Sequence, residues 1–134
     1  MESKPRIVKP NPPMASSILR LVELRLQMLA ELDPQRFATF IVEGYYEVCK
    51  ELITALLTIE GRKAHDHREL IVHLEQHHSS TITRQECVSL DRLRKQRNSI
   101  AYRGAFIDAG YLILNEAWIR ELIAKLQQLV IVQF

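Results

Sequence analysis

Apolar residues recur along this chain at steps of three and four, and the steps fall into blocks of helical length. The first block carries the stripe Ile18, Val22, Leu26 and Leu29, which predicts a helix from Ser16 or Ser17 to about Leu32. Asp33-Pro34 supplies a cap followed by proline at the first helical position. The second helix, from Pro34 to about Glu60, has two stripes. One is Phe37, Ile41, Tyr45, Val48, Leu52, Leu56, Ile59; the other is Val42, Tyr46, Cys49, Ile53, Leu57. A helix apolar on two faces is covered from both sides and belongs at the centre, and Gly61 stops it. Asp66-His67-Arg68-Glu69 has capping-box spacing and opens a short third helix with Leu70, Ile71 and Leu74. Thr83-Arg84-Gln85-Glu86 is a second box and opens a fourth helix that ends between Tyr102 and Gly104. The apolar stretch from Gly104 to Leu114 reads as a connecting loop. Asn115 then caps a fifth helix with the staple pair Leu114 and Ile119 and the stripe Ile119, Leu122, Leu126, Leu129. The pattern predicts an all-α antiparallel bundle of five helices over residues 15–134, preceded by an extended or disordered arm over 1–14.

At 134 residues, 47% apolar and 25% charged, the chain has the composition of one ordinary globular domain. No run of about 18 apolar residues exists to span a membrane. The stretch from Met1 to Pro13 carries four prolines and no hydrophobic centre, so it reads as neither signal peptide nor helix. Cys49 and Cys87 fall on apolar faces without motif spacing, which reads as reduced core thiols of a cytoplasmic protein. The net charge of +2 says little, but its distribution says more. Between Arg84 and Arg103, six basic residues face two acidic ones, a net of +4. An anionic partner near this helix is the natural inference.

Within that helix the stripe Leu90, Leu93, Arg97, Ile100, Ala101 places an arginine at the middle of the apolar face. A guanidinium there needs an acceptor. Two readings stay open: an ion pair with Glu43, Glu47 or Glu51 of the second helix, or bidentate contact with a phosphate in a cleft. Arg92 and Lys95 read as solvated charge. His73 and His77 stand four apart, a spacing that suits a metal ion, yet no cysteine or carboxylate with ligand spacing joins them, so they read as a polar outer face and no metal site is expected. His65 and His67, at a helix start, read as turn and capping residues. Tyr45 and Tyr46 read as core or interface residues and Trp118 as packing. No glycine-rich phosphate loop is present, nothing supports acyl transfer, and no cofactor is implied.

Leu93 to Gly104 resembles the signature helix of the HEPN family (higher eukaryotes and prokaryotes nucleotide-binding domain), an all-helical bundle marked by arginine, a polar residue that is often asparagine, and a histidine a few positions on. The long segment Glu43 to Leu57, the break at Gly61 and the short helix His67 to Leu74 are similar to the family's second helix, glycine break and third helix. The resemblance covers roughly residues 16–130. It implies a homodimer that binds RNA or a nucleotide, and in active members cleaves RNA without metal. A minimal nucleotidyltransferase is an implied partner, in a toxin–antitoxin arrangement. Carried over, Arg97 and Asn98 match the family's arginine and asparagine, and the histidine position falls on Tyr102. A phenol with pKa ~10 is a poor general base, so the resemblance implies weak or absent cleavage. Arg94, Lys95, Arg97 and Arg103 become the expected nucleic-acid or nucleotide contacts. Five residues turn a straight helix by about 140°, so Arg97 and Tyr102 face apart within one subunit. The alternative is a non-enzymatic interaction module in which Arg97 is a structural ion-pair residue. Arg97 fully buried against its own subunit's carboxylate favours that alternative; paired arginines from two subunits lining one open basic cleft favour the nucleic-acid reading.

Overall fold

A computed structural model describes residues 4–134 and contains five helices: α1 (Pro12–Ala30), α2 (Pro34–Glu60), α3 (His67–His77), α4 (Arg84–Arg103) and α5 (Ala109–Ile131). One antiparallel pair of two-residue strands, β1 (Arg6–Ile7) and β2 (Arg62–Lys63), accompanies them. The chain is an all-α helical bundle. None of its helices, among the described residues, is long and apolar enough to cross a membrane. α2 is the centre, as its two stripes require: Tyr45, Val48, Leu52 and Leu56 are buried on one, and Val42, Cys49, Ile53 and Leu57 on the other. It packs most extensively on α1 and α5. α1 comes so close at Gly44 that a β-carbon there would lie 2.5 Å from Leu29 Cδ2. Cys49 and Cys87 are free and buried, and burial pushes their thiols up to about 12 and about 11, as inert core sulfurs.

Two boundaries differ from the sequence reading. α1 begins at Pro12, not at Ser16 or Ser17. Asn11 Oδ1 accepts from the Met14 amide at 3.1 Å, and the Pro12-Pro13 pair occupies the first helical positions, where a missing N–H costs nothing. The arm is thus shorter than expected, and its extended part is tied down. Val8 N donates to Gly61 O at 2.9 Å and Asn11 N to Thr58 O at 3.0 Å. α5 begins at Ala109, capped by Asp108, whose Oδ1 accepts from the Tyr111 amide at 3.0 Å. Asn115 is not a cap but lies inside the helix, donating to Tyr111 O at 2.8 Å and accepting from Trp118 Nε1 at 2.9 Å. Residues 104–108 are loop as expected, and the apolar run from Ala109 on is helix, with Leu112 reaching the core while Ile113 and Leu114 face outward.

Gly61 closes α2 in the left-handed region, with φ of 79°. A β-carbon there would meet Val8 O at 2.8 Å, so this glycine seats the arm as well as ending the helix. Gly104 also has positive φ (65°), but its surroundings are open. Gly61→Ala is therefore expected to cost more stability than Gly104→Ala, for which only the left-handed penalty of about 1–2 kcal/mol applies. It should also speed hydrogen exchange at the Val8 amide. Equal urea midpoints for the two variants would refute this.

Candidate functional site

The capping box at Thr83 and Glu86 starts α4 with both reciprocal bonds formed. The register then buries Cys87, Leu90 and Leu93 and carries Arg97 toward α2. Arg97 is 21% exposed, and its Nη2 lies 3.5 Å from Glu47 Oε1. Of the three carboxylates on α2 that could have served it, Glu47 does. Glu51 is engaged by Arg25 of α1, at 2.7 Å from Nη2 and 3.1 Å from Nε. Glu47 Oε2 also holds Lys50 at 2.6 Å. Arg97 Nε is buried without a hydrogen-bond partner, so the pair is serviceable but imperfect.

The rest of the cationic stretch is neutralised only in part, through Asp91. Asp91 accepts from Arg94 Nε at 2.9 Å and lies 3.6 Å from Lys95 Nζ and 3.9 Å from Arg68. Burial disfavours ionisation of Asp91, but the hydrogen bond from Arg94 and the surrounding cations outweigh it and hold the carboxyl below its usual value. Arg92 is exposed, and Lys95 keeps 69% of its side chain in solvent. Arg103 is exposed in the last turn, where a cation suits the helix terminus. Asn98 is half-buried beside Arg97. Tyr102, 77% exposed, stands at the helix end on a different face from Arg97, and α4 stays helical between them. One subunit therefore does not bring the motif positions together.

Both tyrosines of α2 are buried. Tyr45 donates to Glu116 Oε2 at 2.7 Å, and burial followed by that bond pushes its hydroxyl up to about 12. Burial raises Tyr46 as well, and its ring lies 5.9 Å from that of His67. Burial first, then Lys50 and Arg97, hold His67 below its ordinary value, so its imidazole is neutral at pH 7.

A second basic region lies where the arm meets β2. The strand register sets Arg6 opposite Lys63 and Ile7 opposite Arg62. Like charges directly across a strand pair repel. Lys4, Arg6, Lys9, Arg62 and Lys63 form no ion pair among the described residues. Four of them, Arg6, Lys9, Arg62 and Lys63, line a groove of about 740 Å³ between arm, α1, α2 and the start of α3, together with Lys50, His67 and the carboxylates Glu51 and Asp66. Sequence reasoning missed this groove. The alternation of Lys4, Arg6 and Lys9 with Pro5, Ile7 and Pro10 was its visible half, but Arg62 and Lys63 reach it only through the pairing register.

The histidines of α3 also depart from the expected outer face. His73 is buried, at 2% exposure, and its Nε2 lies 2.9 Å from Glu60 Oε1. His78 Nε2 sits 3.1 Å from Glu60 Oε2 and 3.3 Å from Oε1. His77, the expected partner of His73, is exposed. Burial works against the Glu60 carboxylate, but the hydrogen bonds from His73 and His78 together prevail and hold it at about 2. His65 and His67 occupy the turn and first position of α3, where the His65 amide donates to Glu69 Oε1 at 2.9 Å and Asp66 caps the Glu69 amide. No family model, curated protein or solved structure matches this chain.

Proposed function

We propose that this protein binds a phosphate-bearing ligand, a nucleotide or RNA, in the groove between the arm, β2 and α3, and does not cut RNA efficiently. The observation that carries the reading is the Arg6–Lys63 cross-strand pair, backed by Lys9 and Arg62, none of the four ion-paired among the described residues although Glu51 and Asp66 also line the groove. Such an arrangement raises the energy of the free protein and lowers it when an anion arrives. The groove has the volume of a nucleotide-sized site. The neutral His67 imidazole in its lining adds a hydrogen-bonding group for phosphate or base. The HEPN-like Arg97-Asn98 pair belongs to the same proposal, with Arg97 acting as the strut that joins α4 to α2. Its engagement by Glu47 is the observation that favours a structural role for this residue.

A homodimer also belongs to the proposal. Met14, Leu21, Leu24 and Met28 are each at least half exposed on α1, at steps of seven, three and four residues that suit a helix–helix seam, and Met14 and Leu21 place that seam along the edge of the groove. Sedimentation of the protein with a labelled oligoribonucleotide at about 50 mM salt tests both parts. The protein is expected to run as a dimer, to carry the label, and to leave it full length without added metal. Monomeric protein that sediments free of label would contradict the reading.

A further inference from the structure

Glu60 closes α2, and α3 returns beside it with His73 facing inward. On a continuing helix, a residue five places on would lie about 140° around from His73. His78 does not continue the helix. It is the C-cap, with φ of −130° and ψ of 25°, and this break turns its ring back toward Glu60. Two imidazole nitrogens from one element and a carboxylate from another thus converge. All three ligand atoms lie within 4.8 Å of one another.

We propose that Glu60, His73 and His78 bind a divalent transition-metal ion of the zinc class. Bond lengths of about 2.0–2.1 Å in a tetrahedral zinc site separate ligand atoms by roughly 3.3 Å. Glu60 Oε1 lies 2.9 Å from His73 Nε2 and 3.3 Å from His78 Nε2, so these two edges need shifts of a few tenths of an ångström, while the two imidazole nitrogens, within 4.8 Å of each other, draw together as the ion enters. Two imidazoles and one carboxylate form a ligand set that zinc accepts with a fourth position left for water. The side chains of Glu60 and His78 are 23% and 11% exposed, which gives the ion a path in and leaves that position toward solvent. His73 is fixed by its burial, as the orienting ligand of a preorganised site must be. Two helices could be joined with less desolvation by apolar side chains. A convergent imidazole–carboxylate set built around the buried His73 is better accounted for by a ligand that uses it.

The test is titration of the full chain with Co²⁺, read by the visible bands of a tetrahedral ion, and with Zn²⁺, read by thermal unfolding. One equivalent of Co²⁺ is expected to give the tetrahedral spectrum, and Zn²⁺ to raise Tm by several degrees. Both effects should vanish in Glu60→Gln and in His78→Ala, and persist in His77→Ala. His78 stands at the end of α3, so His78→Ala keeps the helical circular dichroism against which the loss is judged. Failure of the wild type to bind would overturn the proposal, as would binding that survives both ligand variants. Binding lost in His77→Ala but kept in His78→Ala would overturn it too, by moving the site to the surface pair His73 and His77.

Discussion

Glu47→Ala is expected to destabilise the protein by about 1–3 kcal/mol, the range for leaving a partly buried charged group without its acceptor. Glu47 is the acceptor for two cations, Lys50 at 2.6 Å and Arg97 at 3.5 Å. Both are largely covered, at 26% and 21% exposure, and Arg97 Nε already lacks a partner. Without the carboxylate, two partly desolvated positive charges lose their acceptor. Arg97→Met should cost much less. It removes the charge, keeps most of the volume and leaves Glu47 with Lys50. Urea unfolding of the two variants gives the comparison. The ordering matters for function as well as for stability. If Arg97 were a phosphate contact, Arg97→Met would abolish ligand binding while Glu47→Ala improved it. If Arg97 is a strut, Arg97→Met keeps binding, and Glu47→Ala loses stability first.

Arg62→Glu/Lys63→Glu should lower affinity for an oligoribonucleotide by at least about 100-fold, equivalent to about 2.7 kcal/mol. Two attractive charges in the groove become repulsive ones, and like-charge juxtaposition alone costs several kcal/mol. The fold is expected to tolerate the change. Lys63→Glu sets a carboxylate opposite Arg6, and an opposite-charge cross-strand pair contributes about 0.2–1 kcal/mol in favour of the native strands. Loss of binding would then accompany unchanged or higher stability, which separates a ligand site from a damaged protein. Lys95→Gln/Arg103→Gln is the matched control, with two exposed cations removed from α4. It should change affinity little. Filter binding across the three proteins gives the result.

The parts of the fold legible in the sequence are those set by local chemistry. Asp33-Pro34, Gly61 and the Thr83–Glu86 box mark the observed ends of α2 and start of α4, because caps act within one turn. The central place of α2 follows from its two stripes. The start of α1 was hidden because Pro12-Pro13 reads as a barrier, although proline fits the first positions of a helix. The start of α5 was hidden because an apolar run can serve a loop or a helix equally, and Asp108 was a better cap than Asn115. At the candidate site, the anomaly of Arg97 was visible, and Glu47 was among its three foreseen partners. The groove and the Glu60–His73–His78 cluster were not visible, since each joins residues from elements whose approach only the tertiary packing sets.

The most direct test of the groove is the salt dependence of oligoribonucleotide binding in wild type and in Arg62→Gln/Lys63→Gln. On single strands, each phosphate neutralised adds roughly −0.7 to the slope of log K against log salt. With Arg6, Lys9, Arg62 and Lys63 engaged, the wild type should show a slope of about −3, shallower by about 1.4 in the variant. An unchanged slope in that variant, with the loss appearing instead on neutralising Lys95 and Arg103, would contradict the account and return the ligand to α4.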